Sequence, residues 1–176
     1  MNYQYLLTAG EAHLEKYPGY ITGANPLTLF PKGARWMHNR LNEFEGNNSR
    51  PFDPGANYTL YGYLKYTVCL TGFFLAIVWS YEHNLLLAPL SVLLFYLLEI
   101  QFLFLFPLLI DRSKSPILTG IRKVFRIGIL QCLSTVIPIS FFMLTGILRK
   151  GDWTRNWHIG CLAILIWYNN DVRNRI

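Results

Sequence analysis

Residues 85–110 read LLLAPLSVLLFYLLEIQFLFLFPLLI, and Glu99 is the only formally charged residue among them. A helix of this length extends roughly 39 Å at about 1.5 Å per residue. The hydrocarbon core of a bilayer is about 30 Å thick, so a tilted helix of this composition is long enough to cross it. The stretch therefore predicts a membrane-spanning helix, and the rest of the chain is interpreted around it.

Further apolar stretches lie on both sides of this one. They predict spans at about 61–81, at 124–148 and, with a short apolar part, at 157–169. Only a tight turn separates the first two spans, so they must form an antiparallel hairpin. We expect an all-α, polytopic integral membrane helix bundle of three to four transmembrane helices within residues 61–170. For the short last segment, the alternative is that it lies in the membrane interface.

Residues 1–60 are more polar and predict a cytoplasmic or interfacial region with amphipathic helices. From Pro31 onward, apolar residues recur at three- and four-residue steps, while basic residues occupy the other faces. Basic residues beside a tryptophan are typical of a helix that lies on a membrane. The predicted interfacial residues are Lys32, Arg35, Trp36 and Arg40. The alternative is a helix packed on the cytoplasmic loops of the same bundle.

The chain of 176 residues is 52% hydrophobic and carries a net charge of +6. Its basic residues lie mostly beside apolar stretches and form no single long run, which favours a bilayer with anionic lipid over nucleic acid as the partner. Cys69, Cys132 and Cys161 each lie within an apolar stretch and show no zinc-ligand spacing, so they are interpreted as small hydrophobic residues.

Lysine and arginine are expected to face the cytoplasm. With the N-terminus inside and four crossings, thirteen of them do so, against three outside. The thirteen are Lys16, Lys32, Arg35, Arg40, Arg50, Lys65, Arg112, Lys114, Arg122, Lys123, Arg126, Arg173 and Arg175. The three are Arg149, Lys150 and Arg155. We therefore expect a multi-pass protein of a bacterial inner, plasma or other energy-transducing membrane, with a cytoplasmic N-terminus and a basic cytoplasmic tail at 171–176; with three crossings the tail would be outside.

Glu99 is the main candidate for chemistry, because an ionised carboxylate inside a bilayer must bind a proton or find a partner. Counting inward from the cytoplasmic side predicts possible partners for it on the neighbouring spans. These are Thr71, Gln131, Ser134 and Thr135. Lys65 is expected to extend its ammonium group to the interface. Two roles stay open for Glu99, either a protonated link that holds the bundle together or a group that handles a proton, an ion or a substrate.

The basic loop after the second span is a candidate site for a lipid headgroup. Its residues are Arg112, Lys114, Arg122 and Lys123. Membrane orientation alone also explains this cluster. His83 and His158 form a conceivable haem ligand pair, but no histidine spacing typical of a metal site occurs, so neither a metal nor a cofactor is expected.

No catalytic, nucleotide-binding or transport motif is present in the sequence. The small size and the apolar second span favour a non-catalytic accessory or scaffold subunit, with other membrane subunits or further copies of the chain as partners. The alternative is a membrane-embedded lipid-modifying enzyme or a proton-coupled transporter subunit that uses Glu99. Whether the protein is an enzyme stays open at this point.

Overall fold

The computed structural model describes residues 2–22, 25–26, 28–44, 51–148 and 153–173. Helix accounts for 83% of these residues, and none of them forms a strand, so the predicted all-α class is confirmed for the described part of the chain. The helices are α1 (Tyr3–Lys16), α2 (Leu29–Phe44), α3 (Tyr58–His83), α4 (Ala88–Gln101), α5 (Leu105–Ile110), α6 (Pro116–Ile127), α7 (Ile129–Leu148) and α8 (Trp153–Trp167). A 3₁₀ turn at Leu85–Leu87 precedes α4, and a π-helical turn at Tyr168–Val172 extends α8.

Three helical stretches are long and apolar enough to cross a membrane. They are Tyr58–His83, Leu85–Ile110 and Ile129–Gly146. They overlap the first three predicted spans, as expected for a multi-pass membrane protein. Helix α8, which covers most of the predicted short segment 157–169, is not among them.

Helices α3 and α4 form the predicted antiparallel hairpin. Asn84 makes the turn, and its side chain accepts a hydrogen bond from the backbone N–H of Leu86. Phe73 and Phe95 pack edge to face across the hairpin, with their ring centroids 5.9 Å apart. Toward the turn, large apolar side chains of both helices are exposed, among them Leu75 of α3 and Leu90 of α4. Such a surface suits hydrocarbon surroundings better than water.

The second apolar stretch is not one continuous helix, in contrast to the prediction. Helix α4 ends at Gln101, residues 102–104 form a turn, and α5 follows. Pro107 explains part of this break, because it has no backbone N–H and cannot bond the carbonyl of Leu103 as a helix requires. Helix α5 then turns into the protein interior, where Leu105 and Leu108 are each only 1% exposed.

The loop predicted before the third span contains a helix of its own. Pro116 is the first residue of α6, a position where its missing N–H costs nothing. Helix α6 ends at Ile127, and the next residue, Gly128, has a φ of +105°, in the region that favours glycine. The predicted third span at 124–148 is therefore divided, and its helix α7 begins only at Ile129.

Helix α8 lies at the centre of the core. Nine of its fifteen residues are buried, and α1 and α7 pack against it. Helix α1 approaches it closely, since a Cβ atom added to Gly10 would lie 2.8 Å from the carbonyl oxygen of Ile159. Leu6 and Leu14 of α1 are buried as well. Protein, not lipid, thus surrounds most of α8.

Candidate functional site

An ion pair joins α3 to α4 inside the hairpin. The Nζ atom of Lys65 lies 2.6 Å from Oε1 of Glu99, and the two side chains are only 11% and 18% exposed. Lys65 lies in the first third of α3, and Glu99 lies in the last turn of α4. The antiparallel packing of the two helices brings these positions to the same level, so each charge compensates the other.

The surroundings of the pair are only weakly polar. The Lys65 ammonium group lies 5.4 Å from the ring centroid of Tyr66, and the buried thiol of Cys69 is close enough to Glu99 to interact with its charge. The second carboxylate oxygen of Glu99, Oε2, is shielded from solvent and has no hydrogen-bond partner among the described residues. One oxygen of Glu99 is thus fixed by Lys65, and the other stays without a partner in this part of the chain.

Lys65 was not predicted as the partner of Glu99, because its position near the start of a span suggested that it extends to the interface. The structure places it inside, against a carboxylate that offsets the cost of burying an ammonium group. A signal for this pairing is present in the sequence. Glu82, next to the turn of the hairpin, lies 17 residues from Lys65 and 17 residues from Glu99. Antiparallel helices place such positions opposite each other.

The residues predicted to surround Glu99 are exposed or bond the backbone of their own helix. Thr71, Gln131 and Ser134 are exposed. The hydroxyl groups of Ser134 and Thr135 donate to the backbone carbonyl of Gln131, at 3.0 and 2.9 Å. These bonds stay within α7, so the structure does not bring this predicted set to the carboxylate of Glu99.

The four basic residues predicted to bind a lipid headgroup differ in their contacts. Arg112 donates to the carbonyl of Pro51 at 3.2 Å and lies 3.9 Å from Asp53. Lys123 donates to the carbonyl of Val172 at 3.1 Å. Lys114 and Arg122 are exposed. Two of the four side chains thus contact other parts of the chain, and the other two face the surroundings.

The predicted interfacial residues of α2 divide into two groups. Lys32 and Arg35 are exposed. Trp36 and Arg40 are buried, and both donate hydrogen bonds of 3.0 Å to the carbonyl of Gly19. One face of α2 is thus exposed, while the other packs on the chain itself, and the interfacial position of this helix stays a prediction.

His158 has both ring nitrogens engaged. Nδ1 donates to the carbonyl of Thr154 at 2.6 Å, and Nε2 accepts from the N–H of Ile21 at 2.9 Å. Burial is the main cause that lowers the pKa of His158; its bond to Thr154 opposes this effect, and the charge of Arg40 adds to it. His83 bonds the carbonyl of Trp79 through Nδ1. Binding of a haem iron would require His158 to give up one of its bonds.

Arg155 contacts the N-terminal helix. Its Nη2 atom lies 2.6 Å from Oε1 of Glu11 and 3.4 Å from Oε1 of Glu15, and all three side chains are substantially exposed. An ion pair between exposed side chains requires both partners to lie on one side of a membrane. The predicted topology, with Arg155 outside and residues 1–60 inside, stays a prediction, and this contact favours placing the two on one side. Arg50, Arg149, Lys150 and Arg175, which also entered that prediction, lie outside the described residues.

Chemically, the Lys65–Glu99 pair is suited to holding two apolar helices in register. A buried ion pair gives little net stability by itself, but losing either partner is strongly destabilising, because it leaves an uncompensated charge.

Among the described residues, no group of three His, Cys, Asp or Glu side chains could hold a metal ion. No family model, no curated protein and no solved structure matches this chain.

Proposed function

We propose that this chain is a non-catalytic accessory or scaffold subunit of a larger membrane assembly. The observation that carries this function is the 2.6 Å contact between Lys65 and Glu99. Glu99 is the residue of the apolar stretches with the greatest potential for chemistry, and its charge is compensated within the same hairpin. The polar side chains of α7 that could have assisted it in catalysis face away or bond their own backbone. The pair therefore serves to fix α3 against α4.

The outer surface of the hairpin supports a role in assembly. Phe74, Leu75 and Val78 of α3 and Leu90 of α4 are each more than half exposed. In a bilayer these side chains contact either lipid or the helices of a partner. Helices associate in lipid through close packing and not through the hydrophobic effect, so a rigid hairpin is a better docking partner than a mobile one.

In this proposal, residues 1–60 lie in the cytoplasm, as the distribution of basic residues favours. We infer that the start of α8 lies on the same side, and the contact between Arg155 and Glu11 supports this. The α3–α4 hairpin is the part that is inserted across the membrane. Helix α7 begins and ends on the cytoplasmic side, so it lies in the interface or enters the membrane without crossing it. The membrane itself is a plasma, bacterial inner or other energy-transducing membrane.

A second candidate function is proton handling by the pair, as in a subunit of a proton-coupled transporter. The observation that favours it is the unpartnered Oε2 atom of Glu99. A carboxylate oxygen that is shielded from solvent and lacks a partner is a site where a proton or a water molecule binds well. This function requires a path for protons to reach Glu99.

One experiment separates the two functions. The tagged full-length chain is purified from its native membranes in a mild detergent and analysed by native mass spectrometry, and a Glu99→Gln variant is treated in the same way. As an accessory subunit, the wild-type chain elutes in a stoichiometric complex with another membrane protein, and Glu99→Gln reduces recovery of this complex. Recovery of the chain alone, or only with copies of itself, would contradict the proposal. For the second function, Glu99→Gln leaves the complex intact and abolishes proton flux into proteoliposomes.

A further inference from the structure

Helix α6 connects two stretches that are long and apolar enough to cross a membrane. Leu85–Ile110 ends shortly before Pro116, the first residue of α6, and Ile129–Gly146 begins directly after Gly128. If both stretches enter the bilayer at these ends, the two ends of α6 lie at the same membrane surface. The proposed accessory function does not use this helix.

One face of α6 is docked on the protein. Pro116, Gly120 and Val124 recur at four-residue steps and are buried. A Cβ atom added to Gly120 would lie 3.5 Å from the carbonyl oxygen of Gln101, which is an ordinary van der Waals distance. Lys123 also attaches α6 to the end of the α8 segment, through its hydrogen bond to Val172. The opposite face therefore keeps one orientation, directed away from the chain.

The outward face of α6 is both apolar and basic. Leu118 and Phe125 lie two turns apart on the same side of the helix and are 54% and 61% exposed. Arg122 and Arg126 are also exposed, and both lie beside this apolar pair. No aspartate or glutamate occurs within Pro116–Ile127. Large apolar side chains bordered by arginines are typical of a helix that lies in the surface of an anionic membrane.

We propose that this outward face of α6 binds the surface of an anionic membrane. Leu118 and Phe125 enter the boundary of the acyl chains, and the guanidinium groups of Arg122 and Arg126 extend back to the lipid phosphates. The position of α6 between two candidate spans favours lipid over a partner protein as the occupant. The proposal uses the inferred cytoplasmic position of α6, where the leaflet carries anionic lipid, but it does not depend on the accessory role.

This surface is not the basic cluster predicted from the sequence. That cluster included Arg112 and Lys123, which contact other parts of the chain. The outward face of α6 adds Arg126 and two apolar side chains, so it has an apolar part for the acyl chains as well as a charged part for the headgroups.

The test measures the depth of this face in nanodiscs by electron paramagnetic resonance. A nitroxide label is attached to the full-length Phe125→Cys chain, and Leu118→Cys provides a second position on the same face. Collisions of the label with oxygen, which dissolves among the acyl chains, are compared with collisions with a water-soluble nickel chelate. The chain without an introduced cysteine shows how much label the native cysteines take up. In phosphatidylcholine with phosphatidylglycerol, we expect both labels about 5–10 Å below the phosphate level.

The contribution of the charges is tested in the labelled chain with Arg122→Gln/Arg126→Gln. The matched control is Arg122→Lys/Arg126→Lys, which keeps both charges at the same exposed positions. In nanodiscs with phosphatidylglycerol, the glutamine variant should move the label toward the water, while the lysine variant keeps the depth found with arginine. In phosphatidylcholine alone, the difference between the glutamine and lysine variants should disappear.

Three results would overturn the proposal. A label that collides mainly with the nickel chelate would show that this face of α6 lies in water. A label shielded from both reagents would show that a protein partner or a second copy covers the face. An equal depth in the glutamine and lysine variants with phosphatidylglycerol would show that the arginines do not bind the anionic surface.

Discussion

Lys65 and Glu99 lie 2.6 Å apart although α3 and α4 meet only through a hairpin turn far from either residue. Each lies 17 residues from Glu82 at that turn, so the register of the hairpin alone brings them together. The pair is the main polar contact between the two apolar helices of the hairpin among the described residues. It links the sequence pattern to the proposed role, because a fixed hairpin is what an accessory subunit presents to its partners.

Replacing either member of the pair should destabilise the protein strongly. Lys65→Met or Glu99→Leu leaves one buried charge uncompensated, which costs about 3–5 kcal/mol, whereas the double variant restores most of the stability because no charge is then buried. Thermal unfolding in detergent, followed by tryptophan fluorescence, measures the effect. Lys114→Met, at an exposed lysine, is the control and should stay within about 0.5 kcal/mol of wild type. If the double variant is no more stable than the less stable of the two single variants, this result would argue against a structural pair.

The ion pair between Arg155 and Glu11 predicts where the start of α8 lies. A cysteine introduced at Glu82, at the exposed turn of the hairpin, should react with a membrane-impermeant maleimide added to intact cells. A cysteine at Trp153, at the exposed start of α8, should react only after the cells are made permeable. The chain without an introduced cysteine is the control for labelling of the native cysteines. Labelling of both positions in intact cells would instead support the topology predicted from sequence, in which α7 crosses the membrane.

The close approach of α1 to α8 at Gly10 should tolerate no larger residue. In Gly10→Ala, the added Cβ would lie 2.8 Å from the backbone oxygen of Ile159, so helix α1 must shift, at a cost of about 1–3 kcal/mol. The control is Gly33→Ala, where the nearest atom lies 4.0 Å away, and helix propensity predicts a gain of up to about 1 kcal/mol. Unfolding midpoints of the two variants should thus move in opposite directions. Equal shifts would show that Gly10 is not a packing constraint.

Acidification should weaken the contact between His158 and the segment at Ile21. The pKa of His158 is lowered from its ordinary value of 6.5, so below that value the unfolded chain binds a proton that the folded chain resists. Stability is therefore complete at neutral pH and declines as the pH falls below the ordinary value of 6.5. His158→Asn should flatten this dependence, measured as unfolding midpoint against pH. The control is His13→Gln, which removes a different histidine. His13 pairs with Glu43 at 2.8 Å, near the Arg40 whose charge also acts on His158. An unchanged slope in His158→Asn would contradict this account.

Much of the hairpin could be predicted from sequence, because its signals are local. Long apolar runs separated by a tight turn define two antiparallel helices, and the structure contains both at the expected places. The break after Gln101 was missed, because every residue of the interrupting turn is apolar and fits the same pattern. Pro107 is the local signal for this break, because it lacks the N–H that a continuous helix needs at that position.

The candidate site was predicted only in part. Glu99 was identified from its charge alone, but its partner depends on helix register, which counting depth from the membrane surface does not provide. The contact of Arg155 with Glu11 joins opposite ends of the chain, and no local pattern indicates it. The same holds for Trp36 and Arg40, whose burial depends on the segment around Gly19 that covers them.

The most direct test of the central claim is recovery of the native complex by the double variant Lys65→Met/Glu99→Leu. If the pair serves only to hold α3 against α4, this variant folds and co-purifies with the same membrane partner, at the same stoichiometry, as the wild-type chain in native mass spectrometry. A double variant that unfolds at the wild-type temperature but no longer recovers the partner would show that the charges themselves are needed. Recovery of the wild-type chain without any partner would equally contradict the proposed accessory function.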